Sequence, residues 1–161
     1  MLHAAASLGD AAAQAAAVTR WQALPTAELR AGAEHGDPLA QTAFGLSLFT
    51  SMLARKAVLI AGDSGAGSLD AGQLVNDLAL ANRMFSQAAS AGVAQAIVNV
   101  AGAKPPNEQM PLWRVAAAQG ESSALLNIAI SHRDGLHGMP RDDVAAAFFF
   151  RRSAERGCVQ A

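Results

Sequence analysis

The fold is decided by short stretches such as AEHGDPLA at residues 33–40, in which Ala33 and Ala40 flank Gly36 in the pattern AxxGxxxA. Alanine fills about a quarter of the 161 residues, so chance placement would give roughly one copy of this pattern. The chain holds five copies, which indicates an internal repeat. They consist of Ala6, Gly9 and Ala13; Ala33, Gly36 and Ala40; Ala89, Gly92 and Ala96; Ala117, Gly120 and Ala124; and Ala154, Gly157 and Ala161.

Each copy predicts the end of one helix, a tight turn and the start of the next helix. Glycine adopts the left-handed conformation that ends a helix without the steric cost of a Cβ atom. Asp10, Asp37 and Glu121 directly follow three of the glycines, where an acidic side chain caps the next helix. Pro38 suits a first helical position. The two alanines are expected where antiparallel helices cross most closely, because such a crossing admits little more than a methyl group.

Between the turns, the apolar residues recur with helical spacing and no stretch alternates as a strand does. The predicted fold class is therefore all-α, an α/α solenoid of about four to five stacked helical hairpins in one domain spanning residues 1–161. Helices are expected at residues 10–23, 26–35, 38–58, 73–91, 94–103, 108–119, 122–133 and 143–156, with the tail of a ninth at residues 1–8.

Composition narrows the classes of partner. Apolar residues make up 52% of the chain but aromatic residues only 5%, so alanine must replace large side chains in the core, which favours helices. Twelve basic and 13 acidic side chains give a net charge of −1, which argues against nucleic acid or an anionic membrane as the main partner. No stretch has the features of a membrane span or an export signal, so a cytoplasmic location is the default expectation.

The sequence of residues 131–161 resembles a known family. Residues 133–161 read RDGLHGMPRDDVAAAFFFRRSAERGCVQA, with a glycine-containing loop, an apolar residue before Pro140, an acid, and an alanine-rich aromatic helix that ends in AxxG. This order resembles the Sel-1-like repeats, which are α/α solenoids related to tetratricopeptide repeats, and weaker copies cover essentially the whole chain. A tetratricopeptide array is the nearest alternative, but variable loop lengths and AxxG turns favour the Sel-1-like pattern.

The resemblance implies a non-catalytic scaffold or adaptor that binds another protein, often in bacterial signalling, envelope or host-interaction settings. In related solenoids the helix that leaves each glycine lines a concave surface, which suits a peptide or a partner helix. On that basis Thr42, Gln95 and Arg133 are expected at the surface, whereas large apolar residues more often pack between helices. The candidate partner-binding residues are Thr42, Leu46, Phe49, Gln95, Leu126 and Arg133, with Leu39 and Ile130 continuing the strip.

A catalytic or ligand-binding loop is the alternative function. The stretch GDSGAG at residues 62–67 is superficially similar to the nucleophile segment of serine proteases. It lies between predicted helices, so a flexible loop is the favoured interpretation. A nucleotide site is rejected because GxxxxGK[ST] is absent. A hydrolase or ligand-binding domain that uses Gly62–Gly72, with Ser64 as the candidate nucleophile, remains the competing hypothesis.

No metal or other cofactor is expected. A glycine loop separates His132 from His137, and no neighbouring Cys or acid completes a tetrahedral set of ligands, so both are interpreted as loop histidines. Cys158 is the single cysteine, which excludes an intrachain disulfide, and no base is identified beside it.

The ends of the chain suggest a third use, homotypic assembly. A solenoid normally finishes with a unit whose outer face is polar. This sequence stops at Ala161, at the start of an expected helix, after Val144, Phe149 and Phe150 have presented apolar surface. We therefore expect the natural polypeptide to continue, or this end to meet another chain, including end-to-end self-association.

Overall fold

The computed structural model describes residues 10–60 and 71–157, and eight α-helices account for most of them. Every helix predicted from residue 10 onward is confirmed, with ends within two residues of expectation, and no strand occurs in these two ranges. The expected tail of a ninth helix lies outside them. The helices are α1 (Ala11–Gln22), α2 (Thr26–Glu34), α3 (Pro38–Ile60), α4 (Ala71–Ser90), α5 (Ala94–Gly102), α6 (Pro106–Ala118), α7 (Ser122–Asp134) and α8 (Asp143–Glu155).

The four turn glycines in the described ranges share one backbone conformation and one hydrogen-bond pattern. Their φ angles are +86° at Gly36, +87° at Gly92, +83° at Gly120 and +90° at Gly157. Each glycine N–H donates to the carbonyl of the alanine three residues earlier. After the first three, the next N–H donates to the carbonyl five residues back, which completes a Schellman motif. These predicted turns are confirmed, while Gly9 lies outside the described residues.

The acids after the glycines cap the following helices as predicted. Asp37 Oδ1 accepts from the backbone N–H groups of Leu39 and Ala40 at 2.9 and 2.8 Å. Asp10 Oδ1 and Glu121 Oε1 each accept one N–H from the first turn of α1 and α7. The bonds satisfy N–H groups that have no partner inside a helix. The same few residues therefore end one helix and start the next.

Small residues fill the places where helices cross. More than half of the buried apolar residues in the described ranges are alanines. The motif alanines at most 7% exposed are Ala33, Ala40, Ala96, Ala117 and Ala124. Ala13 and Ala89 are half-buried, whereas Ala154 is exposed. The helix expected to cross at Ala154 would begin after Gly157, outside the described residues, so this crossing stays a prediction; Ala6 and Ala161 also lie outside them.

The helices form two rows. The pairs α3/α4, α5/α6 and α7/α8 are closely packed hairpins, and α1 with α2 form a fourth, more open pair. Contacts within a row join α1 to α3, α1 to α5 and α5 to α7, while α2, α4, α6 and α8 make no comparable contacts with one another. We call α1, α3, α5 and α7 the inner row.

Two stretches that the sequence singled out lie outside the described residues. They are residues 61–70, which include GDSGAG and Ser64, and residues 158–161, which include Cys158. Within the described ranges, no helix combines the length and the apolar character needed to cross a membrane.

The first prediction concerns the crossing of α2 and α3. Ala40 is fully buried, and its Cβ would lie 3.1 Å from a Cβ added at Gly32. Ala40→Leu should lower the free energy of unfolding by about 2 kcal/mol, because the added atoms force the helices apart. Chemical denaturation measures this change. Ala27→Leu, at an exposed position of α2, is the control, and equal stabilities of the two variants would contradict the prediction.

The second prediction isolates the backbone conformation of the turns. A Cβ at Gly36 or at Gly102 would meet no atom within 4 Å, but only Gly36 has a positive φ. Gly36→Ala should destabilise the chain by about 1 to 2 kcal/mol, the cost of a left-handed alanine. Gly102→Ala, at the last residue of α5, should leave stability unchanged or raise it. Thermal unfolding of both variants tests the difference, and a larger loss at Gly102 would refute it.

Candidate protein-binding surface

The structure places Thr42 in the interior. Its side chain is fully buried, and Oγ1 donates to the Pro38 carbonyl at 2.8 Å. The expected surface position of Thr42 is therefore wrong. Because a threonine hydroxyl can bond to the carbonyl one helical turn back, its burial leaves no polar group unsatisfied. Helices α1, α2 and α4 all pack on α3, so this segment of the inner row has little free surface.

Two further candidates on α3 have different environments. Leu46 is half-buried and packs against two buried clusters, one shared by α1, α2, α3 and α4 and the other by α4 and the start of α5. Its side chain therefore joins neighbouring helices. Phe49, about one turn further along, is 38% exposed. Phe49 therefore offers more exposed surface to another molecule than Leu46 does.

Helices α5 and α7 carry three further candidates. Gln95 lies in the first turn of α5 and is half-buried, as are Leu126 and Ile130, one turn apart on α7. Helices α5 and α7 touch at a few positions. We call Gln95, Val98, Leu126 and Ile130 the α5–α7 strip; Val98 is also half-buried and packs against the core of this region.

Arg133 is exposed, as expected, but its guanidinium is already engaged. Its Nε and Nη2 donate to the two carboxylate oxygens of Asp134 at 2.7 and 2.8 Å. The guanidinium also lies 5.9 Å from the centre of the Phe150 ring. The hydrogen bond from Arg133 lowers the pKa of Asp134 below its ordinary value. The basic end of the strip is therefore an ion pair rather than a free positive charge.

Helix α1 makes contacts well beyond its sequence neighbour α2. It packs mainly on α3 and makes smaller contacts with both α2 and α5. At its start, the Ala11 N–H donates to the Gln119 carbonyl at 3.0 Å. One turn later, Gln14 Oε1 accepts from the Ala94 N–H at 2.9 Å, and Gln14 Nε2 donates to Gln119 Oε1 at 3.2 Å. Helix α1 thus bridges the start of α5 and the turn between α6 and α7.

The far end of α1 rests on α2 and α3. Val18 is 3% exposed and belongs to the buried cluster that includes Ala40 and Phe44. The Trp21 ring packs against Gly32, where an added Cβ would lie only 2.5 Å from the ring. A larger residue than glycine at that position of α2 would collide with the indole. Small residues therefore set how closely α1 approaches the other helices.

A cavity of about 220 Å³ remains between α1 and the rest of the inner row. One wall consists of small side chains of α1, at Ala11, Ala12 and Ala15. The opposite wall is polar and consists of Gln95, residues 120–123 and Arg156. Helix α1 therefore only partly fills the space between itself and the starts of α5 and α7.

Comparisons with known proteins identify the fold. Neither a scan against known protein families nor a search of curated proteins finds a match. Among solved structures, the crystal structure of a Sel1 repeat protein from Oxalobacter formigenes is similar, with a TM-score of 0.57. The likeness covers 84% of this chain and 93% of that one at 20% sequence identity. This chain has the Sel1 repeat fold. The AxxG turns are the joints between successive helical hairpins of that fold.

Within this Sel1 repeat fold, a serine and a histidine meet in the connection from α7 to α8. Ser131 Oγ lies 2.9 Å from His137 Nδ1 and donates its proton to the Asn127 carbonyl at 2.7 Å. His137 Nδ1 must therefore be the donor toward Ser131, the reverse of a base that activates a nucleophile. The ring also packs edge-on against Trp113, so this pair holds the loop in place.

The described histidines do not lie in a metal-ligand cluster. His132 stands in the last turn of α7, not in a loop as interpreted from sequence, and its ring stacks on Phe149 with centroids 5.8 Å apart. His137 lies in the loop with φ +56°. In residues 10–60 and 71–157, no three His, Cys, Asp or Glu side chains gather in a way that could hold a metal ion.

Sequence reasoning missed the contacts of Gln14 and Gln119. Gln14 is 1% exposed, although glutamine is usually a surface residue. A signal was present: Ala11, Gln14 and Val18 follow helical spacing in an otherwise alanine-rich segment and so share one face. A buried Gln14 requires hydrogen-bond partners, but the sequence alone does not identify them as the Ala94 N–H and the Gln119 side chain.

The third prediction tests the ion pair at the end of the strip. Arg133→Gln should raise the pKa of Asp134 toward its ordinary value, because the hydrogen bond from Arg133 is the largest cause of the lowered pKa. Titration of the side-chain carboxyl carbon by NMR measures this pKa. Arg141→Gln is the matched control and should raise it less, because Arg141 acts only through space. An equal effect of the two substitutions would show that Arg133 does not hold Asp134.

Proposed function

We propose that this chain is a non-catalytic scaffold that binds a peptide or helix of another protein along its inner row. The observation that supports this proposal is the α5–α7 strip. Leu126 and Ile130 are neither fully exposed nor fully buried, and they lie one turn apart on a helix of the inner row. A partner that covers such apolar surface gains free energy from its removal from water.

The chemistry of the strip indicates which partner it suits. Two apolar side chains at i and i+4 pair best with an amphipathic helix or an extended apolar peptide. Gln95 supplies an amide donor and acceptor near one end, and the Arg133–Asp134 pair supplies both charges at the other. Phe49 extends the proposed surface toward α3. We propose no reaction, cofactor or metal for this surface.

The fourth prediction tests the strip through partner capture. The wild-type chain, cross-linked in a lysate of its source cells, should capture at least one protein that a Leu126→Ala, Arg133→Ala double variant loses. Removing an apolar contact and an arginine together should cost about 1.4 kcal/mol of binding free energy, so the captured amount should fall by about tenfold. Quantitative mass spectrometry of the captured proteins measures this amount, after circular dichroism has established that both chains fold alike.

A matched control distinguishes the strip from the surface in general. Leu136→Ala, Arg151→Ala replaces the same residue types at exposed positions outside the inner row. This control should capture the partner as well as the wild-type chain does. Capture that is equal for all three chains, or equally reduced in both variants, would reject the inner row as the binding surface.

A further inference from the structure

Helix α1 contacts the inner row in the way that a bound helix contacts its receptor. It is joined to α2 by residues 23–25, and its last turn packs on α2 through Trp21. Its hydrogen bonds, by contrast, reach groups more than 75 residues away, the Ala94 N–H and the Gln119 carbonyl. Contacts far along the chain therefore hold the start of α1 in place.

The surface beneath α1 carries donor and acceptor groups that need hydrogen-bond partners. The residue before α5, Val93, has no side chain that caps the helix, and the Ala94 N–H has no acceptor within its own helix. Gln14 Oε1 provides that acceptor. The Gln119 side chain and carbonyl take the two donors of α1, from Gln14 and Ala11. Any helix that carries an amide one turn from its start could satisfy the same three groups.

The apolar contribution of α1 is small. Only Ala11 and Val18 among its apolar residues are buried, and Trp21 is half-buried. Apart from the indole of Trp21, which packs on Gly32 at the far end of the helix, a methyl group and an isopropyl group remove little apolar surface from water. An isolated helix of 12 residues is also marginal in solution. The cavity beside Ala12 and Ala15 adds to this weakness, because α1 leaves that space unfilled.

From these contacts we propose that α1 is a displaceable internal ligand, and that the site beneath it takes a partner helix of the same pattern. The partner carries a small residue, an amide three positions later and a β-branched apolar residue four positions after that, as Ala11, Gln14 and Val18 do. It carries side chains larger than alanine at the positions of Ala12 and Ala15, which fill the cavity. This proposal rests on the proposed scaffold function and names the partner class for one part of its inner row.

The fifth prediction uses a synthetic peptide of residues 10–24, labelled for fluorescence anisotropy, and the full chain. The Gln14→Ala chain should bind this peptide about tenfold more tightly than the wild-type chain, because its own α1 has lost two hydrogen bonds and competes less well. The Gln22→Ala chain, changed at an exposed residue of the same helix, should bind like the wild-type chain. A peptide with Gln14→Ala should lose binding, and one with Ala15→Met should bind about fivefold more tightly by filling the cavity.

Hydrogen exchange on the wild-type chain gives a second measurement that requires no variant to fold. Saturating peptide should speed the exchange of backbone amides in α1 while the Ala94 amide stays protected, because the glutamine of the peptide replaces Gln14. Unchanged α1 exchange together with equal peptide affinity for all chains would overturn the proposal. So would a concentration-dependent dimer in which α1 docks on a second copy, detected by light scattering without peptide.

The two proposals fail in distinguishable ways. If the peptide does not bind but capture through Leu126 and Arg133 is observed, the α1 site is wrong and the scaffold function stands. If the peptide binds as expected but the double variant captures every partner that the wild-type chain captures, the α5–α7 strip is wrong as a binding surface and the α1 site stands by itself.

Discussion

The whole array depends on the turn glycines, which follow α2, α4, α6 and α8 and have φ angles near +87°. This conformation brings the chain back on itself within two residues and allows the Schellman hydrogen bonds to close. It also sets the next helix against the last one so closely that only alanine fits on the two sides, as at Ala33 and Ala40. The turn geometry and the alanine-rich core are therefore one constraint.

Most of the fold could be predicted from the sequence because its signals are local. Helix ends lie within two residues of expectation, since glycine, proline and the capping acids act on their immediate neighbours. The alanine-rich interior could be predicted from composition, because a chain with few aromatic residues must fill its core with small side chains. The open pairing of α1 with α2 could not be predicted, because it depends on hydrogen bonds from Gln14 to groups far along the chain.

The candidate surface was harder to predict, for reasons that particular residues illustrate. Thr42 has a polar side chain, yet its hydroxyl is satisfied within its own helix and the residue is buried. Arg133 is exposed, yet Asp134 beside it takes up its charge. Helical periodicity identifies the face on which a residue lies, but which other helix covers that face is decided by the tertiary structure.

Helix α1 also belongs to two buried clusters that are formed by distant parts of the chain. Repeat arrays are nearly one-dimensional, so a unit at one end can fray while the other stays folded. Here Ala11 belongs to the buried cluster of α5, α6 and α7, and Val18 to the cluster of α2, α3 and α4. One short helix thus acts as a brace between the two clusters beside α4, and its release would lower the cooperativity with which the array unfolds.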